Sequence, residues 1–398
     1  MRNPELAKTF WALCSIAILV VASANPAWSA WGYIDEKQHK TVYPDHGYID
    51  KAGKVILKSP HRTATDPFSN GLVKVESEDN TAPCYYIDKE GKVIAKGFKK
   101  AESFSENLAG AGNYSKMGFI EPTGKYVIAP FFQDVEPFRE GLAPVMVNSK
   151  FGFVDKSGAF AVDPFFDGVS GFSEGLAAAE SEGKIGFVDK TGTWKIKPQF
   201  DYVDGFSDGL ALVWLDENEC YIDKSGCVVI KLDQKRNKRA FETDAVSKTG
   251  LRVRCNTIFS WGFQQEFAST ASFSEGLAAM AWDGKYGYID KTGKFVVPAK
   301  FDGAFPFHDG IARVQDGQKY GFIDKTGSYL VEPKFLAAKN FSEGAAAVAV
   351  AHNKWGYIDK KGKFLITPKY SYAWPFSEGF AHVQFWGYFN DGIEKRAE

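Results

Sequence analysis

The strongest constraint on this chain is a phrase that it repeats in phase. "YGYIDKTGKFVV" begins at residue 286, and close variants stand at 46 ("HGYIDKAGKVI"), 151 ("FGFVDKSGAF"), 185 ("IGFVDKTGTW"), 320 ("YGFIDKTGSY") and 355 ("WGYIDKKGKF"). With the acid of each phrase as a ruler, copies fall at Asp50, Asp88, Glu121, Asp155, Asp189, Asp223, Asp290, Asp324 and Asp359. The steps are 38, 33, 34, 34, 34, 67, 34 and 35 residues. A second landmark, "FSEGL" or a relative, starts at Phe68, Phe104, Phe138, Phe172, Phe206, Phe273, Phe307, Phe341 and Phe376, mostly 17 residues after the ruler. The 67-residue step reads as two units with a degraded copy near Asn256, because Phe273 lies 17 beyond it. The expectation is about ten units, with part-units at "WGYIDEK" (31) and "WGYFNDG" (386).

Each unit reads as short strands. "DKTG" is a hairpin turn in which Asp accepts backbone hydrogen bonds and Gly takes a positive φ. The flanking "YGYI" and "KFVV" become antiparallel strands. "LAAMAW" (277 to 282) is a third, returning through "DG" at 283, with "EG" at 183 and "DG" at 316 in the same place. A compact connection, "P-x-F-D-x-x-x-x-F-S-E-G", leads on. No stretch carries a long helical period, and the 39 Gly and 17 Pro favour turns over helices.

A meander of this size buries little alone. Neighbours such as Tyr288 and Ile289 point to opposite faces of one strand, so both faces need cover from adjacent units. The fixed aromatic positions Phe132, Phe166, Phe200, Phe301 and Phe335 are expected in the core. Phe151, Tyr286, Tyr320 and Trp355, each just before Gly, divide between packing and an exposed binding surface.

These residues resemble the WG-repeat family, bacterial repeats named for the Trp-Gly pair. The pair survives at Trp31-Gly32, Trp355-Gly356 and Trp386-Gly387 and relaxes to Phe-Gly, Tyr-Gly or Ile-Gly elsewhere. The resemblance spans about residues 31 to 392. It departs at Asp88, where "CYYID" lacks Gly, at Glu121 before Pro122, and over 231 to 257. It implies a scaffold of short β-strands and no catalytic residues.

The expected fold is therefore all-β: a tandem array of about ten three-stranded meanders on a 34-residue period. An open, curved solenoid is favoured, since unit number is then free and the part-units serve as caps. The alternative is a closed, propeller-like ring in which the connection supplies a fourth strand. The expected divisions are a signal peptide (1–24), a cap (25–46), repeats (47–230), a degenerate repeat with a basic insertion (231–257), and repeats with a terminal part-unit (258–398).

The start reads as an export signal. Arg2 and Lys8 precede the apolar run "FWALCSIAILVVA" (10 to 22), too short for a comfortable membrane span, and "ASA" (22 to 24) offers a cleavage site after Ala24. An exported protein, periplasmic or extracellular and not an integral membrane protein after cleavage, is expected. Cys84, Cys220, Cys227 and Cys255 then remain. Their spacing gives neither a disulfide framework nor a zinc site; a 227–255 bridge is open, and 220–227 is disfavoured because the two face opposite sides of their hairpin.

With 48 Lys and Arg against 49 acids, the chain has no electrostatic footprint for nucleic acid. The repeated acids Asp50, Asp155, Asp189, Asp290, Asp324 and Asp359 are each followed by Lys, which argues for turn capping over calcium. Glu174, Asp208, Glu275, Asp309, Glu343 and Glu378 occupy the second turn and read the same way. His39, His46, His61, His308, His352 and His382 form no metal-binding pair in sequence. No nucleophile elbow, phosphate loop or dinucleotide fingerprint appears. No catalytic, cofactor-binding or metal residue is assigned, and an enzyme is not expected. The block "KLDQKRNKRAFETDAVSKTGLRVR" (231 to 254) carries eight Lys or Arg against three acids. It is either a basic binding loop or a solvated insertion in a decayed unit. The functional expectation is an exported, non-enzymatic scaffold engaging another protein; the rival is a cell-wall or glycan-binding module.

Overall fold

Two turns set the geometry of each unit. Asp290 Oδ1 accepts the backbone N–H groups of Thr292 (2.9 Å) and Lys294 (3.1 Å), and Gly293 closes the turn at φ +80°. The second turn is a two-residue hairpin: Ser173 and Leu176 exchange backbone bonds of 2.8 and 3.1 Å around Glu174 and Gly175, both at positive φ. Two successive positive-φ residues give the twist that antiparallel strands require.

The computed structural model describes residues 33–35, 40–42, 46–59, 66–76, 83–215, 218–232 and 271–385. The described residues contain no helix. Their unit is a four-stranded blade, shown by Asp134–Val135, Leu142–Val147, Lys150–Asp155 and Phe160–Phe166, paired in that order. The connection thus supplies a first strand only two residues long. The fourth strand is the longest and carries most of the exposed large apolar side chains, so it forms the outer rim. Blades 2 to 9 occupy 72–98, 100–132, 134–166, 168–200, 202–231, 278–301, 303–335 and 337–370. Blades 2 and 7 show three strands, their first-strand positions lying outside the described residues. Tyr33–Asp35 and Lys40–Val42 form a separate two-stranded sheet.

Blade 1 is built from both ends of the chain. His46–Asp50 pairs with Phe380–Gln384, in the order Tyr372–Ser377, Phe380–Gln384, His46–Asp50, Val55–Ser59. The array is therefore a closed ring of nine blades, a β-propeller, and the open solenoid is incorrect. The repeat segments at 46–59 and 372–384 are complementary halves of one blade; of the part-units expected as caps, Trp31-Gly32 and residues 386–398 lie outside the described residues.

The count of about ten units is corrected for a related reason. Phe273, Ala278, Met280 and Ile289 of blade 7 pack directly on Leu210, Leu212, Tyr221 and Ile230 of blade 6. The 67-residue step is thus one step of the ring; the degraded copy near Asn256 lies outside the described residues.

The core is not central but divided among the joints. Nine apolar clusters each combine one blade with the next. Tyr288 enters the joint between blades 7 and 8, while Ile289 enters that between 6 and 7. Phe132, Phe166, Phe200, Phe301 and Phe335 are all buried, as expected. The tyrosines of "GYID" also tie their neighbour: Tyr288 Oη donates to Phe305 O at 2.8 Å and Tyr357 Oη to Trp374 O at 2.8 Å.

The Gly of the Trp-Gly position faces a bulge. Between Phe151 opposite Phe166 and Phe153 opposite Val162 the register shifts, and Pro164 sits in the slack. A Cβ on Gly152 would lie 2.5 Å from Val162 O and 2.7 Å from Pro164 N. The bulge removes the need for the donor that Pro lacks, and the missing Cβ lets the fourth strand close in. Blade 2 moves the glycine across: Tyr85 stands in the third strand, and Gly97 takes φ +98° in the fourth.

Gly152→Ala is expected to destabilise the protein by about 1–3 kcal/mol, since the blocking atoms are backbone. Gly205→Ala, whose Cβ would meet only Ser173 Cβ at 3.8 Å, should stay within about 0.5 kcal/mol of the parent. Thermal or urea unfolding of the two variants checks this.

Candidate interaction surface

In an antiparallel meander the first and third connections share one end, so both repeated turns meet on one face of the ring. There they satisfy each other. Ser173 Oγ donates to Phe206 O at 2.7 Å, and the same bond links blade to blade at seven joints, ending with Ser377 to Phe68 O. Arg139 and His308 replace the serine at the other two. Glu174 accepts from Gly209 N at 3.0 Å and pairs with Lys224 at 3.1 Å; Glu140 with Gly175 and Lys190, and Glu275 with Gly310 and Lys325, repeat this. The turn aspartates cap their own turns, as expected. The "FSEG" acids instead reach the next blade, and the Lys after the turn Asp is the counter-ion at Lys51, Lys89, Lys156, Lys190, Lys224 and Lys325. Sequence spacing did not reveal this, because each pair crosses a joint.

Chemical individuality lies deeper, beside the short first strands. In the second strand, Lys74, Arg313 and His382 stand where other blades carry Ala178, Leu212, Ala279 or Ala347. Lys74 pairs with Asp66 at 3.3 Å and Glu76 at 2.9 Å, and Ser103 Oγ donates to Asp66 at 2.9 Å. Burial pulls the Lys74 ammonium down, but Asp66 and Glu76 outweigh it and hold it above its ordinary range. Lys100 bridges to Asp134 of the next blade at 2.7 Å. Burial pushes the Glu136 carboxyl up to about 7, with Asp134 adding to the rise and Arg139 opposing it. Burial likewise raises Glu102, against Lys74 and Lys100. Arg313 packs over the Phe305 ring at 3.7 Å. His46 and His382, 336 residues apart, come within 3.1 Å in blade 1; His308 and His352 are exposed and separate.

The outer rim breaks symmetry differently. Just before the buried aromatic of the fourth strand, blades 7, 8 and 9 carry Lys300, Lys334 and Lys369, which lie over the rings of Phe301, Phe335 and Tyr370. Blades 3 and 4 carry Phe131 and Phe165 instead, exposed at 63% and 51%. Phe131 contacts Phe132, which contacts Phe160 of blade 4; Phe165 contacts Phe166, which meets Trp194 of blade 5. The strand Tyr126–Phe132 contains no charge, and Phe160–Phe166 only Asp163. An apolar band thus crosses two outer edges at the place where blades 7 to 9 carry lysine, the residue that ordinarily blunts a sheet edge.

The aromatics preceding Gly are not such a surface. Phe151, Tyr286 and Tyr320 are half-buried, and Trp355 is buried against Tyr372. Cys84 and Cys220 are buried and Cys227 is exposed; Cys255 and the basic block from 233 onward lie outside the described residues, as does a 227–255 bridge.

Glu136→Gln should raise stability by about 3 kcal/mol at pH 8. The parent carboxyl, held near 7 when folded, favours the folded state only while protonated, and this is lost as pH rises from the unfolded value toward 7. The gain should vanish near pH 4; urea unfolding at both pH values measures it.

A family model for the WG containing repeat matches residues 86–114, 117–151, 151–184, 185–217, 286–320, 320–351 and 355–385. No curated protein matches the sequence. Among solved structures, a eukaryotic initiation factor is similar at TM-score 0.50 and 11% identity, over 86% of this chain and 98% of that one. BamB from Moraxella catarrhalis aligns at TM-score 0.39 and 10% identity, over 80% and 95%. Hsv2p of Kluyveromyces lactis aligns at 0.34 and 13%, over 62% and 87%. The first of these likenesses bears on fold alone. With its motif matched over more than half its length, its glycines seated under their bulges and its blades closed into a ring, the chain belongs to the WG-repeat family.

Proposed function

We propose that this propeller is a non-enzymatic scaffold that binds another protein through the outer rim of blades 3 and 4. The observation that carries the reading is the exposed band of Phe131, Phe160 and Phe165, set on edge strands that lack the lysines of their counterparts. Edge strands offer unpaired backbone groups, and apolar side chains beside them add burial to that pairing. The repeated turns add little to a partner, because their charged groups are engaged with each other. The export reading rests on residues 1–24, which lie outside the described residues.

Phe131→Lys with Phe165→Lys gives these edges the residue that blades 7 to 9 carry there, so the fold should tolerate the change. The expected outcome is an unfolding midpoint within about 2 °C of the parent, together with loss of a protein co-purified by the parent from a native extract. Undiminished capture by the double variant would sink the rim as the contact surface.

A further inference from the structure

We propose that His46 and His382 form a pH-sensitive latch on the seam that closes the ring. The two residues lie on the facing strands His46–Asp50 and Phe380–Gln384, which come from opposite ends of the described chain. Both break the repeat. His46 takes the aromatic place before Gly held by Phe151, Tyr286 and Trp355, and His382 the small or apolar place held by Ala178 or Leu212.

Their rings are nearly parallel, 8° apart with centroids at 5.0 Å, and His46 Nδ1 meets His382 Nε2 at 3.1 Å. A contact between two ring nitrogens holds one hydrogen, so one imidazole donates and the other accepts. Doubly protonated rings would set two N–H groups against each other. The site offers little to offset that. His382 lies between Trp374, at 4.3 Å, and Tyr48, at 5.3 Å, and its buried Nδ1 has no partner among the described residues. Gln384 Nε2 approaches His46 Nε2 at 3.5 Å.

The titratable and charged groups on the elements packed here are Tyr48 and Asp50 on the same strand, Tyr372 on the first strand, Lys58 on the fourth strand, and Asp66, Lys74, Glu76 and Tyr85 on blade 2. Asp66 and Glu76 are engaged by Lys74. Asp50 caps its own turn at the far end of the strand. Burial lowers His46 to about 4, and burial with the neighbouring His46 takes His382 well below 6.5.

Both rings are therefore neutral in the closed blade, whereas the released strands bind protons near 6.5. The stabilisation is complete above pH 6.5 and is lost as pH falls toward 4 for His46 and lower for His382. Each group shifts the closed–open equilibrium about tenfold per pH unit in that window. Two groups between pH 6.5 and 5 amount to about a thousandfold. Opening the seam frees both imidazoles while leaving packed the seven joints in which blade 1 takes no part, so the loss should concentrate there.

Hydrogen exchange tests this. Between pH 7 and 5, corrected for intrinsic rates, the amides of 46–50 and 380–384 should lose protection by two to three orders of magnitude relative to blade 5. The variant His46→Tyr with His382→Leu, which restores repeat residues, should abolish that difference. Seam amides that track blade 5 at both pH values, or a double variant that responds as the parent does, would overturn the latch. If the double variant does not fold, proton NMR of the parent decides. Two of its six histidines should stay neutral at pH 5 while seam exchange accelerates; titration of all six near 6.5 in the folded protein would refute the proposal.

Discussion

Each blade of this protein has two apolar faces, and that requirement governs the architecture. Side chains alternate across a strand, so Tyr288 and Ile289 serve joints on opposite sides of one sheet. A stack of such sheets always leaves two faces bare unless the last meets the first. Solenoids solve the problem with polar caps. Closure solves it by giving every face a partner, and the nine clusters between blades are the result. The repeat is thus a tile whose two sides match, which is also why small departures such as the relocated glycine of blade 2 are tolerated.

Much of this was legible in the sequence. The turns, the three longer strands, the buried aromatic ladder and the two-sided packing follow from local chemistry and from period-two alternation. The short first strand was not, because two residues such as Gly168–Val169 give no periodicity to read. Closure was hidden for another reason. The landmarks at Asp50 and Phe376 read the same whether they belong to two units or to one shared blade, and only the pairing of Tyr48 with His382 tells them apart. The 67-residue step misled because insertion length matched one period by coincidence, while Leu210 and Phe273 pack as immediate neighbours.

The candidate surface was legible only in part. An exposed Phe and a buried Phe are the same letter; Phe131 and Phe132 separate only when the rim is known. The informative comparison is internal. Once blades are aligned, the replacement of Lys300, Lys334 and Lys369 by Phe131 and Phe165 becomes visible. The same alignment exposes Lys74, Arg313 and His382 as departures from a small-residue position. Repetition gives one chain its own set of comparisons, and individuality appears as deviation from it.

Sharing blade 1 between the chain ends also has a consequence for biogenesis. The strands at 46–59 are made first, and their partners at 372–384 come more than 300 residues later. Until then blade 2 has only half of a neighbour, and an unpaired strand edge stays open to wrong partners. Contacts of such high sequence separation form slowly, because the entropy of closing a long loop must be met first. Assembly of this ring therefore waits until residues 372–384 have been made, and a chaperone that shields a single strand pair would protect it through that interval.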